Sequence, residues 1–258
     1  MEIRNEILKK LSASESDHSI KILHAVESGS RAWGFASPDS DYDVRFIYAH
    51  DMKWYLKLED TRDVMELELN DVYDINGWDI QKLFRLMHSS NPTVFEWVHS
   101  PIVYTTHPII AEITPQIDSF FSCKAGLYHY FNTAKANYKS YIDNKQKVKL
   151  KKYFYVLRPL MACDWILTHR TPPPVLFDSL LNEMEPDDEL FIAIQDLISR
   201  KQTAIEAEMI ERISVLEDYI ASEISSIKVS ADMMKDDKNN DWELLNTLFL
   251  QCLEQFNN

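Results

Sequence analysis

Between residues 27 and 46 the chain reads Glu27-Ser28-Gly29-Ser30-Arg31-Ala32-Trp33-Gly34-Phe35-Ala36-Ser37-Pro38-Asp39-Ser40-Asp41-Tyr42-Asp43-Val44-Arg45-Phe46. A Gly-Ser turn lets the backbone come close to a ligand, because glycine lacks a Cβ and tolerates positive φ. Ahead of a helix start, its N–H groups suit a phosphate. Asp41 and Asp43 are two apart, so on a strand both carboxylates point to one face. Neighbouring like charges are costly unless a cation neutralises them. Oxygen-only ligands beside a phosphate favour Mg²⁺, with Mn²⁺ as the alternative ion. Two such ions about 4 Å apart can activate an attacking hydroxyl and stabilise a leaving pyrophosphate. Glycine is otherwise scarce: of Gly29, Gly34, Gly77 and Gly126, half fall inside this run.

The elements that position these residues can be read from their periodicity. A helical start, Glu2 to Leu11, leads into the apolar run Ile20 to Val26, a buried strand, and the Gly-Ser turn follows it. Asp43 to Tyr48 alternates as a second strand and Val64 to Leu69 as a third; a fourth, Asp71 to Ile75, pairs with the third through a turn at Asn70-Asp71. Ile80, Leu83, Phe84 and Met87 carry helical spacing, with Asp79 as N-cap or first-turn acid. Asn91-Pro92-Thr93 starts a short helix that Ser100-Pro101 ends. From about residue 108 onward only helices are expected, broken by Thr171-Pro172-Pro173-Pro174 and by the charged turn 235–240. The expected fold class is α+β, a small mixed-sheet head over residues 1–105 followed by a helical domain over 106–258.

Composition sets outer bounds. At 258 residues and 45% hydrophobic content the chain is a folded globular protein with room for a large core. Residues 1 to 20 read as a charged amphipathic helix with no signal-peptide core, and no apolar run is long enough to span a membrane. Cys123, Cys163 and Cys252 are scattered and odd in number, which points to a reducing cytoplasm and away from a disulfide framework. The histidines show no metal-ligand spacing. Of the net charge of -14, residues 135 to 170 contribute a local +7, so the remainder carries -21. That segregation admits an anionic partner at one place and excludes a general nucleic-acid coat protein.

Several residues have two readings. Arg31 contacts a phosphate or is a surface arginine at a helix start; Arg45, on the Asp43 strand face, reaches phosphate or balances the acids. Lys151, Lys152 and Arg158 share a spacing of three or four with Tyr155, so they either face a nucleotide or lie along an ordinary solvated helix. Trp33 and Phe35 either act as packing anchors or stack on a base.

With Gly29, Ser30, Asp41 and Asp43, this region resembles the DNA polymerase beta superfamily of nucleotidyltransferases. It further looks like the predicted bacterial and phage nucleotidyltransferases associated with RNA ligase, whose later signatures match Gly77-Trp78-Asp79-Ile80-Gln81-Lys82, Asn91-Pro92-Thr93-Val94-Phe95-Glu96-Trp97 and Tyr155-Val156-Leu157-Arg158-Pro159-Leu160. The resemblance covers about residues 20 to 185. It implies a third carboxylate on a later strand: Asp74 is preferred, with Asp79, Glu66 and Glu68 as rivals. It also implies a second domain that completes the nucleotide pocket with residues such as Lys151, Lys152 and Arg158. The activity implied is transfer of a nucleoside monophosphate from a nucleoside triphosphate, ATP among them, to an acceptor hydroxyl, with Asp41, Asp43 and Asp74 on the metals and Gly29, Ser30, Arg31 and Arg45 on the nucleotide. The acceptor would be an RNA end, a protein side chain or a small molecule. The rival reading is a minimal-nucleotidyltransferase-type antitoxin or regulator acting through a protein partner, such as a toxin or an RNA ligase.

Overall fold

The computed structural model describes residues 2–186, 188–203 and 208–255. Its first compact unit comprises residues 1–32, 41–121 and 239–258, and its second comprises 33–40 and 122–238.

The first unit is built on a five-stranded sheet. Strands β1 (Lys21–Glu27), β2 (Tyr42–Ala49), β3 (Val64–Leu69), β4 (Tyr73–Asp79) and β5 (Val103–Thr106) lie in the order β3-β4-β2-β1-β5. β2 and β4 run parallel and the other neighbours antiparallel, so the sheet is mixed. The β3–β4 hairpin is closed by Asn70, whose Oδ1 accepts from the N–H groups of Val72 and Tyr73, each at 2.8 Å. Such a side-chain turn is what asparagine favours.

Both sheet faces are covered. Helix α1 (Glu2–His18) lays Ile7 and Leu11 on Ile22, Ala25, Val44, Phe46, Tyr48 and Ile75. Between β1 and β2 lies the short α2 (Gly29–Trp33), and after β2 the single turn α3 (Met52–Tyr55). The opposite face, with Leu23, Val26, Ile47 and Ala49, packs under α4 (Ile80–His88), α5 (Pro92–Val98) and α6 (Pro108–Asp118). Asp79 caps α4, its Oδ1 accepting from Gln81 N at 2.7 Å, and Asn91 caps α5 ahead of Pro92.

The second unit is mainly helical: α7 (Cys123–Tyr141), α8 (Leu150–His169), α9 (Phe177–Leu181), α10 (Glu189–Thr203) and α11 (Ser214–Met233). A two-stranded ribbon joins β6 (Lys147–Lys149) to β7 (Met209–Glu211). The three cysteines are free and buried, and no helix among the described residues is long and apolar enough to cross a membrane.

Three features differ from the sequence reading. The expected single boundary after residue 105 gives way to a division after 121, with a return at 239. The cause is apolar burial: Ile109, Ile110, Ile113 and Ile117 of α6, and Leu245, Leu248 and Cys252 of α12 (Trp242–Glu254), belong to the first unit's core. A fifth strand, β5, pairs with β1, in addition to the four strands read from periodicity. Lys147 to Lys149 form a strand in a region where only helices were expected, because Val148 is buried between exposed lysines and pairs with Ile210.

Candidate active site

β2 carries Asp43 and Arg45 on one face and buries Val44 and Phe46 on the other, as a period of two requires. In β4 the same alternation buries Tyr73 and Ile75 and leaves Asp74 and Asn76 partly exposed. The parallel register sets Asp43 beside Asp74 and Arg45 beside Asn76. Arg45 ties the carboxylates together: its Nη2 lies 3.0 Å from Asp43 Oδ1 and 2.7 Å from Asp74 Oδ2, while Nη1 donates to the Asp74 carbonyl at 2.7 Å. Asn76 Nδ2 donates to Asp74 Oδ1 at 3.1 Å.

The Gly-Ser turn sits against this pair. Gly29 has φ of +59°, and a Cβ there would lie 2.0 Å from Asp43 Oδ2. Only glycine permits both the backbone conformation and the approach. Ser28 N donates to the Asp43 carbonyl at 2.8 Å, which locks the turn to β2. Arg31 stays local: its Nε donates to the Asp41 carbonyl at 2.9 Å, and its guanidinium lies 3.8 Å from the Tyr42 ring centroid. Asp41, immediately before β2, is partly exposed.

Beneath the turn lies a residue that the sequence reading did not single out. Glu27, the last residue of β1, is 1% exposed. It accepts from the Asp43 amide at 2.9 Å and from the Tyr104 hydroxyl. Burial pushes its carboxyl up to about 7, against those two donors, which favour the ionised form. The available signal was an acid closing an otherwise apolar strand; its partner Tyr104 lies on β5, which only tertiary pairing reveals.

The other acids are placed elsewhere. Asp79 is on the opposite face of β4 from Asp74, where it caps α4 and accepts from the Tyr55 hydroxyl at 3.0 Å. Glu66 pairs with Arg62 at 3.5 Å, and Glu68 with Lys10 at 2.6 Å. The basic candidates belong to the second unit. Lys152 Nζ lies 3.8 Å from the Tyr141 ring centroid and 4.4 Å from that of Tyr155. Arg158 is 4% exposed, with its guanidinium 4.7 Å from the Trp33 ring centroid. Lys151 is partly exposed in the first turn of α8.

Among the described residues no three His, Cys, Asp or Glu side chains are grouped to hold a metal. Asp43 and Asp74 nevertheless fit a cation, for the space between them already holds one, the Arg45 guanidinium. Their oxygen donors are of the kind a hard divalent ion takes.

A family model described as "RNA repair pathway DNA polymerase beta family" matches residues 3–251. The chain belongs to this family. As a member of the RNA repair pathway DNA polymerase beta family it has a close relative in Bacillus subtilis (strain 168), the "Uncharacterized protein YcgL". The two are 42% identical over 254 residues, which cover 98% of this chain and 97% of the relative. A solved nucleotidyltransferase-like protein from Exiguobacterium sibiricum shares 14% identity with this family member. It covers 87% of this chain and 74% of its own, at a TM-score of 0.29.

Proposed function

We propose that the chain transfers a nucleoside monophosphate from a nucleoside triphosphate to an acceptor hydroxyl, with release of pyrophosphate, and that the acceptor is an RNA end. The observation that carries this reading is the pairing of Asp43 with Asp74 across parallel strands, with the Gly29 turn in contact with the Asp43 carboxylate. Membership of a DNA polymerase beta family described by RNA repair supports it.

In this reading Asp41, Asp43 and Asp74 hold Mg²⁺ or Mn²⁺, which supplies charge neutralisation at the phosphates when bound. Gly29 and Ser30 seat the triphosphate. Asp74, on the strand next to Asp43, accepts the proton of the attacking hydroxyl. Arg45 neutralises the two acids before substrate arrives and then turns to the nucleotide, as does Arg31. The basic stretch around Lys151 and Lys152 supports an anionic acceptor.

A second reading, a regulator acting through a protein partner, is favoured by one observation: the Arg45 guanidinium forms ion pairs with both carboxylates of the pair. One assay separates the two. The protein is incubated with α-phosphate-labelled nucleotides, Mg²⁺ or Mn²⁺, and separate pools of RNA, protein and small hydroxyl compounds, beside an Asp41→Ala/Asp43→Ala control. Label in the RNA pool, lost in the control, is the expected result. Label in no pool, with a folded protein bound tightly to a protein partner, supports the second reading. Full activity of Asp74→Asn alongside an inactive Glu66→Gln or Asp79→Asn would move the third carboxylate elsewhere.

A further inference from the structure

The run linking the Gly-Ser turn to Asp41 is built into the other compact unit. Residues 33–40 belong to the second unit, although the residues on either side belong to the first. Phe35, 2% exposed, stacks on Phe154 with ring centroids 4.3 Å apart and meets Phe177 edge-on at 5.4 Å. Ser37-Pro38-Asp39-Ser40 is a tight turn, with Ser40 N donating to the Ser37 carbonyl at 3.1 Å and proline at its second position.

At this turn lies a buried ammonium. Lys201, in the last turn of α10, is 3% exposed, and its Nζ donates to Ser37 Oγ at 2.8 Å. An ammonium has only donors, so Ser37 Oγ accepts from it, and the same oxygen shares a hydrogen bond with Ser40 Oγ, 2.9 Å away, in which either hydroxyl can donate. Ser40 Oγ also accepts from Ser37 N at 3.1 Å. The hydrogen-bond chain thus runs from Lys201 to the residue immediately before Asp41. Burying a lysine is costly unless its donors are satisfied. The C-terminal turn of a helix offsets part of that cost by favouring a cation.

We infer that Lys201, acting through Ser37 and Ser40, is a positioning residue. It fixes the strap 33–40 and with it the chain entering Asp41, the residue that follows Ser40. This rests on the nucleotidyl-transfer reading for its effect on rate, but not for its effect on the strap. Lys201→Met is expected to lower kcat roughly ten- to a hundredfold, the scale of a small misplacement of reacting groups. KM for the nucleotide should stay within about threefold, since the turn that seats the triphosphate is untouched.

The test pairs that assay with hydrogen-exchange mass spectrometry on the full chain. Lys201→Met and Ser37→Ala are each expected to speed exchange in residues 35–41 while the interior of α8 stays protected. The double variant should be no worse than Lys201→Met alone, because both changes cut one chain of hydrogen bonds. Should Lys201→Met fail to fold, Ser37→Ala, which removes a single oxygen, carries both arms. A wild-type protein that transfers no label overturns the nucleotidyl-transfer reading and leaves the exchange arm to decide the strap. Unchanged exchange at 35–41, or protection lost equally throughout α8 and α10, overturns the inference.

Discussion

The Arg45 guanidinium reaches to the adjacent strand to hold Asp74, 2.7 Å from Nη2, as well as Asp43 of its own strand at 3.0 Å. Like charges opposite each other on adjacent strands repel, and here one cation cancels the repulsion. Replacing Arg45 with Met removes that cation and leaves the carboxylates facing. In metal-free buffer the variant should lose roughly 2 kcal/mol of stability, the scale of hydrogen bonds to charged groups. Mg²⁺ should then raise its melting temperature by more than it raises that of the wild type. Thermal unfolding with and without Mg²⁺ measures both effects, and an equal Mg²⁺ response in the two proteins would show that the pair does not take the ion.

Gly29 is constrained twice, by a φ of +59° and by the Asp43 carboxylate in the path of any Cβ. Gly29→Ala should therefore cost roughly 1–2 kcal/mol for the left-handed backbone alone. It should also push Asp43 out of its place beside Asp74. The expected outcome is a modest loss in urea stability with a loss of transfer that is disproportionately large. Full transfer by Gly29→Ala would mean that the close approach is packing and not part of the site.

Much of this site was legible because its information is local. Gly29 and Ser30 open α2, Asp43 lies on β2 with Asp41 immediately before that strand, and the role of Asp79 as the α4 cap follows from its place before an apolar period of 3.6. What stayed hidden depends on pairing between distant segments. Spacing put Arg45 on the Asp43 face, but its bond to Asp74 needs the β2–β4 register. Glu27 becomes a buried acid through Tyr104 on β5, a strand of four residues too short to announce itself. Lys147 to Lys149 are a strand only because Met209 to Glu211 pair with them. The return of α12 to the first unit is written in an amphipathic pattern that any core could have used.

That return has a measurable consequence. Leu248 of α12 is 4% exposed within the core that also holds Leu83, Phe84 and Met87 of α4, and Phe249 meets the Tyr55 ring edge-on at 5.1 Å. Leu248→Ala should destabilise the first unit by about 2–4 kcal/mol, through lost transfer free energy and the cavity left behind. Amide exchange should accelerate in α4 and β1, while α8 in the second unit keeps its protection. Exchange that accelerates in α8 and not in α4 would contradict the assignment of α12 to the first unit's core.

Asp79 makes stability depend on pH. Burial pushes its carboxyl from the ordinary 3.8 up to about 6, the nearby Asp63 charge adding to the rise, against the Gln81 amide and Tyr55 hydroxyl that favour the ionised form. Between those values the folded state keeps a proton that the unfolded chain has released, so this group's contribution to stability falls as pH rises through the window. Asn at this position keeps an acceptor for the α4 cap but cannot titrate. Relative to Asp79→Asn, the wild type should therefore gain on the order of 2 kcal/mol as pH is lowered from 7 toward 4, with little further change below. Urea midpoints of both proteins across that range test this, and a constant difference would place Asp79 near its ordinary carboxylate value despite its burial.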